Sequence, residues 1–336
     1  MIGLAQPARA QKPTEQEDEV IRTDTDLTSL LFIATDKNNR FNTTLKQEDV
    51  RLLEDGVPQT LLSFQRETDR PLALAFLIDV SASEERTLSY EKAAARSFIE
   101  TVIQSSKDQA AVIAFTGLAF LEQGLTRDVI SLYRALERVE VALPNYLGGG
   151  RPISGIATGP GMAAPPREGT TAIWDAVYLT SVELLASNAV AGNKDSNTQT
   201  PVQRRRAIIL LTDGWDTSSR VMKQDALNKA LEAETVIYAV GIGDGRKEGV
   251  NKGELNSLAT ATGGRAFFPK KEEDLKAAFA QIEQELRSQY LIAYSSLNKN
   301  RDGAYRKMKL EITNPELQKA QFKLRYRPGY FARPLK

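Results

Sequence analysis

The 336-residue chain contains no cysteine and no histidine. Their absence removes the usual ligands of zinc, copper and iron, together with thiol and imidazole nucleophiles and bases. Any metal site built from this sequence must therefore offer oxygen to a hard ion. Charge of one dominant sign is missing too, with 44 Lys and Arg against 43 Asp and Glu. The molecule as a whole has no field that would draw it to nucleic acid or to an anionic membrane. No run approaches the roughly 20 apolar residues of a membrane-spanning helix. The lack of cysteine leaves the compartment open, because a chain of this length can build a core that stands without disulfides.

What is present divides into stretches of different character. Ala8-Arg9-Ala10 has the small-x-small pattern of a signal-peptide cleavage region, without the apolar stretch that should precede it. The expectation is a signal that begins upstream and an extracytoplasmic protein, periplasmic or secreted, with a cytoplasmic one as the alternative. Glu15, Glu17, Asp18 and Glu19 make the following residues a solvated lead-in, so 1–26 is read as signal remnant or disorder.

Leu27 to Thr35 is strand-like, and Val50 to Leu53 and Thr60 to Phe64 flank Glu54-Asp55-Gly56, whose Asp-Gly suits a tight hairpin. From Leu72 buried strands alternate with amphipathic helices. Strands are expected at Leu72 to Ile78, Ala111 to Phe115, Ala207 to Leu211, Val236 to Val240 and Arg265 to Phe268. Helices are expected at Tyr90 to Ile103, Asp128 to Val139, Ile173 to Leu185, Lys223 to Ala233, Leu255 to Ala261 and Glu272 to Arg287. This order gives an α/β fold, a mostly parallel sheet with helices on both faces.

Two long stretches, Pro144 to Gly169 and Ser187 to Arg206, interrupt it as binding loops or disorder. The second ends in Arg204-Arg205-Arg206, read as a solvated strand entrance rather than a nucleic-acid patch. After Arg287, Arg306 to Thr313 and Gln321 to Arg327 alternate apolar and charged residues, the pattern of a sheet with one wet face. Gln11 to Arg70 carries 8 basic and 13 acidic side chains, whereas Ser288 to Lys336 carries 11 basic and 3 acidic. Opposite sign and too few strands in either end predict one β-sandwich-like domain from 27–70 plus 288–336, with an α/β domain at 71–287 inserted in it.

Chemistry concentrates at strand ends. The strand Leu72 to Ile78 runs into Asp79-Val80-Ser81-Ala82-Ser83; Gly169-Thr170-Thr171-Ala172-Ile173-Trp174-Asp175 opens a helix; Thr212-Asp213-Gly214 closes the next apolar strand. In open α/β sheets this carboxyl edge is where ligands bind. Each residue alone reads more simply as a helix cap or turn residue. Taken together, Asp-x-Ser-x-Ser, Gly-x-Thr-Ala-x-x-Asp-Ala and Thr-Asp-Gly resemble the metal-ion-dependent adhesion site of the von Willebrand factor type A family, over about Leu72 to Arg287. The flanking Val50 to Gln59 and Arg327-Pro328-Gly329-Tyr330-Phe331 are similar to a bacterial subgroup related to that family, often exported.

The resemblance implies Ser81 and Ser83 as hydroxyl ligands, Thr171 as the ligand of the open form, and Asp79 and Asp213 as carboxylates acting directly or through water. It departs from the commonest pattern at Ala82, where glycine is frequent, and in the Gly-Pro-rich insertion before Thr171. The implied ion is Mg2+ or Mn2+, which takes oxygen ligands and keeps exchangeable waters. A protein partner supplying a carboxylate would complete the shell.

The expected function is thus noncatalytic, cation-dependent binding, with adhesion or assembly as the role. Alternatives are a cytoplasmic assembly factor for an ATPase complex, or a Mg2+-dependent phosphoryl-transfer or hydrolytic enzyme with Asp79 as nucleophile. Against the enzyme, the second aspartate of a strand-end phosphotransfer site is replaced by Ser81. Gly241-Ile242-Gly243-Asp244-Gly245 lacks the third glycine spacing of a dinucleotide loop, and no P-loop occurs. Asp175 and Asp216 are expected to accept hydrogen bonds rather than ligate, and Trp174 and Trp215 to be core or rim aromatics.

Overall fold

The computed structural model describes residues 27–67, 70–141, 151–153, 170–186, 204–243 and 249–332. The lead-in at 1–26 and most of the two long interruptions lie outside the described residues. In chain order the strands are β1 (Leu27–Thr35), β2 (Val50–Glu54), β3 (Val57–Pro58), β4 (Leu61–Arg66), β5 (Leu72–Asp79), β6 (Gln109–Phe115), β7 (Ala119–Thr126), β8 (Arg151–Pro152), β9 (Arg205–Thr212), β10 (Thr235–Gly241), β11 (Ala266–Phe267), β12 (Tyr290–Ser295), β13 (Tyr305–Ile312), β14 (Lys323–Tyr326) and β15 (Gly329–Phe331). The helices are α1 (Leu88–Val102), α2 (Val129–Arg138), α3 (Ile173–Leu179), α4 (Lys223–Glu232), α5 (Lys252–Ala261), α6 (Glu272–Arg287) and α7 (Pro315–Lys319).

The central sheet runs β11-β10-β9-β5-β6-β7-β8. Its first five strands are parallel, while β7 and β8 each pair antiparallel to the strand before. Every residue of β5 is buried because both faces are covered. Leu72, Leu74, Phe76 and Ile78 meet α1, α2 and α6 on one side; Ala73, Ala75 and Leu77 meet α3, α4 and α5 on the other. An unbroken apolar run is what such a strand requires. β7 was not expected, since its Glu122-Gln123-Gly124 stretch interrupts the apolar pattern.

The expected helix from Ile173 to Leu185 is α only as far as Leu179, and Thr180–Ala186 continues with π geometry. Within it the buried Ser181 hydroxyl donates back to the carbonyl of Val177 at 2.8 Å, a bond that competes with regular helix pairing.

The two chain ends interleave in two antiparallel sheets, β14-β1-β12-β4 and β15-β13-β2-β3. Their inner faces share a core of Leu30, Phe32, Leu52, Tyr290, Ile292, Tyr294, Met308 and Leu310. The Asp55-Gly56 turn forms with both residues at positive φ, 49° and 84°. Its second strand is Val57–Pro58, however, and Leu61–Arg66 crosses to the other sheet to pair with β12.

Arg205 departs from the expected solvated entrance. It is buried where the two bodies meet, donating to the carbonyls of Leu286 and Arg70 and to Gln289 Oε1. Across the same junction Arg327 donates to the Leu231 and Ser29 carbonyls, and Arg325 pairs with the buried Glu285.

Candidate metal centre

The register of the parallel strands aligns their carboxyl ends: Asp79 lies opposite Phe115, Ile78 opposite Leu211 and Thr212 opposite Gly241. The chain crosses from β5 to β6 on one side of the sheet and later returns as β9 on the other, so a crevice opens at the carboxyl ends of β5 and β9. Asp79 ends β5, and Asp213 follows β9.

Asp79 is fully buried. Its Oδ1 accepts the Ser81 N–H at 2.9 Å and its Oδ2 the Thr212 hydroxyl at 2.6 Å. Burial pushes its pKa up to about 6, against the opposing pull of the Thr212 and Ser81 hydrogen bonds. Past Ser81 the chain enters a short 3-10 turn, Ala82–Glu84, which brings the Ser81 and Ser83 hydroxyls 3.0 Å apart. Asp213 is half-buried, and its Oδ1 accepts the N–H of Trp215 at 3.0 Å.

Gly214 makes this sharp exit from β9 possible. Its φ is +85°, and a Cβ there would sit 2.9 Å from Leu255 Cγ. Trp215, next to Gly214, is 38% exposed, with its indole N–H tied to the Gly249 carbonyl at 2.8 Å.

Thr171 is buried just before α3. Its N–H donates to Thr217 Oγ1 at 2.8 Å, and its carbonyl accepts the N–H groups of Thr217 and Ser218. The next residue, Ala172, donates to the Thr116 carbonyl beyond β6. Thr171 is thereby stitched between the loops that follow β6 and β9, on the edge that carries Asp79 and Asp213. Asp216 Oδ1 accepts the N–H of Ile173 and Asp175 Oδ1 those of Arg220 and Val221, so both hold α3 to the β9 loop.

Among the described residues the carboxylates that gather at this edge are Asp79, Asp213 and Glu84, each offering an oxygen within 4.8 Å of the others. Glu84 had no place in the sequence reading. It is completely buried; Oε2 accepts the Thr87 hydroxyl at 2.8 Å, and Oε1 has no hydrogen-bond partner. Close to it is Glu91, also buried, its charge acting on Glu84. Burial, joined by the like charges around them, raises both groups above the usual carboxylate range. Acid groups packed this way repel one another, and a divalent cation offsets that repulsion. A donor set of oxygens alone, carboxylate and hydroxyl, suits a hard ion.

Residues 166–281 match the model of the von Willebrand factor type A domain. The match spans the Thr171 and Asp213 motifs and begins after Asp79, Ser81 and Ser83. No curated protein matches the chain in sequence. Among solved structures, von Willebrand factor type A from Catenulispora acidiphila aligns with 94% of this chain and 75% of its own, at 14% identity and a TM-score of 0.49. Proximal thread matrix protein 1 from the mussel byssus, with a zinc-occupied MIDAS motif, aligns over 70% of this chain at 17% identity and a TM-score of 0.49. This chain covers only 50% of that protein's length. Conserved hypothetical protein BatB from Bacteroides thetaiotaomicron aligns over its full length with 65% of this chain, at 20% identity and a TM-score of 0.40.

Proposed function

We propose that this chain, which carries a von Willebrand factor type A domain, holds one Mg2+ or Mn2+ ion on Asp79, Ser81, Ser83, Thr171 and Asp213 and uses it to bind an acidic group of a protein partner. The observation that carries the reading is the meeting of the Asp79 and Asp213 carboxylates at the open edge of the sheet, beside the paired Ser81 and Ser83 hydroxyls. Hydroxyl ligands add no charge, and an octahedral ion that keeps waters has positions a partner's carboxylate can take. Ser83 and Asp213 are half-buried and Trp215 is exposed, so solvent reaches this part of the edge.

Binding fits better than catalysis. Asp79, the residue an enzyme of this design would use as nucleophile, is fully buried with both oxygens engaged, and no histidine is available to move protons. We further read 27–70 with 288–336 as one domain that carries 71–287 as an insertion, and Ala8-Arg9-Ala10 as favouring an extracytoplasmic site of action.

The test is capture of partners from native extract by the immobilised chain. Binding should be lost in chelator, lost in Asp79→Ala and weakened in Thr171→Ala, with circular dichroism unchanged. A partner that binds equally well in chelator would make the ion at most structural and end the adhesion reading.

A further inference from the structure

We propose that Glu84 is a direct ligand of the same ion, a third carboxylate that enters the site from its buried side. The inference rests on the metal reading above and adds a residue outside the Asp-x-Ser-x-Ser pattern.

Two independent observations point to it. One of its carboxylate oxygens falls within 4.8 Å of oxygens of both Asp79 and Asp213, a spacing that one cation can bridge. Its Oε1 is also a completely buried acceptor with no hydrogen-bond partner. A buried carboxylate oxygen left unsatisfied costs free energy on the order of a few kcal/mol, and a fold retains such a group where something else satisfies it. The local chain holds the side chain in place. The 3-10 turn is closed by the Glu84 N–H to the Ser81 carbonyl at 2.9 Å, and the Thr87 hydroxyl anchors Oε2 at 2.8 Å, so that Oε1 is the oxygen without a hydrogen-bond partner.

Three carboxylates around one divalent ion leave the inner site with a net charge of about minus one, so a partner's carboxylate is taken up by coordination to the ion and not by net attraction. The ion is then held more firmly than by Asp79 and Asp213 alone. Six protein oxygens would fill an octahedral shell, so a position stays open on the solvent side only with Asp79 or Asp213 reaching the ion through water while Glu84 binds it directly. Glu91 lies outside the set of three.

Equilibrium Mn2+ titration of the full chain tests this, with wild type compared to Glu84→Gln, Glu91→Gln and Asp213→Ala, and melting temperatures measured in chelator alongside. Glu84→Gln is expected to weaken Mn2+ about tenfold or more without lowering the metal-free melting temperature, since it keeps the shape and, like the protonated acid that burial favours, carries no charge. Glu91→Gln is expected to change Mn2+ affinity far less. If Glu84→Gln binds Mn2+ as wild type does while Asp213→Ala is weakened, Glu84 is no ligand and the metal reading stands. If wild type itself takes up no Mn2+, both fall. Should Glu84→Gln fail to fold, crystals of wild type grown with Mn2+ decide instead. A Glu84 oxygen at about 2.0 to 2.3 Å from the ion supports the assignment, and one beyond about 3.5 Å overturns it.

Discussion

Asp79 couples the stability of the metal-free protein to pH. Its folded pKa of about 6 lies above the ordinary 3.8, so the folded chain holds a proton that the unfolded chain gives up. That stabilisation is fully present below about pH 4 and is lost as pH rises through about 6, by roughly 3 kcal/mol in all. Glu84 and Glu91 are raised by burial as well, which extends the decline above neutrality. In chelator the melting temperature should therefore fall between pH 5 and pH 8, and Asp79→Asn should flatten the profile. A wild-type melting temperature that held level or rose over that range would contradict this electrostatic account.

At the same scale, Asp79, Ser81, Ser83, Thr171 and Asp213 stand out only as a set, through their order, their strand-end and helix-start context and the resemblance of the three motifs to a known site; singly each reads as a cap or turn residue. Thr212 and Glu84 do not stand out, since a hydroxyl and an acid beside the motif look like ordinary turn residues. Glu91 did leave a signal. It falls on the inward stripe of α1 with Leu88, Ala95, Phe98 and Val102, where a carboxylate is out of place unless something satisfies it.

At the level of elements, the site depends on how β9 ends. Thr212 holds Asp79, Asp213 brings a carboxylate oxygen within 4.8 Å of one of Asp79, and Gly214 turns the chain at φ +85° against Leu255. Gly214→Ala should destabilise the protein by about 1 to 3 kcal/mol and weaken Mn2+ as well, because the strain must displace Asp213 or α5. Chemical denaturation with a parallel metal titration checks this, and a variant matching wild type in both would show that the turn does not position Asp213.

Long periodic elements, such as β5, β9 and α6, were legible in the sequence because burial on a fixed face leaves a fixed period. β12 was not anticipated, although Tyr290-Leu291-Ile292-Ala293-Tyr294 is apolar throughout; it begins only three residues after α6 ends and merges with the helix pattern. The partner of the Asp55-Gly56 hairpin was misplaced for a different reason. The turn sets the local register but not which sheet Leu61–Arg66 joins, and that is decided by Tyr290–Ser295, more than 200 residues away in sequence.

Across the whole molecule, the chain ends are joined by strands and by charge. The opposite net charges of the two ends pointed to their pairing, and one ion pair that results is buried: Arg306 Nη1 lies 3.5 Å from Glu54 Oε1. Tyr294 and Tyr330 add hydroxyl hydrogen bonds to Glu54 Oε2 at 2.7 and 2.9 Å. The exposed Arg51–Glu311 pair across the same strands contributes little by comparison. Arg306→Met should cost about 3 to 5 kcal/mol, because it strands the Glu54 carboxylate in the core. Urea unfolding measures it, and a loss below about 1 kcal/mol would mean that water reaches Glu54. Cleavage within 144–169 should leave the two ends associated, whereas release of a folded N-terminal fragment on cleavage near Arg70 would contradict a shared domain.

The central claim is that one hard cation sits where β5 and β9 end. Crystals grown with Mn2+ and measured near the manganese absorption edge test it most directly. The account predicts a single anomalous peak per chain, within about 2.0 to 2.3 Å of oxygens drawn from Asp79, Ser81, Ser83, Thr171, Asp213 and Glu84. A peak elsewhere, or none at saturating Mn2+, would contradict it.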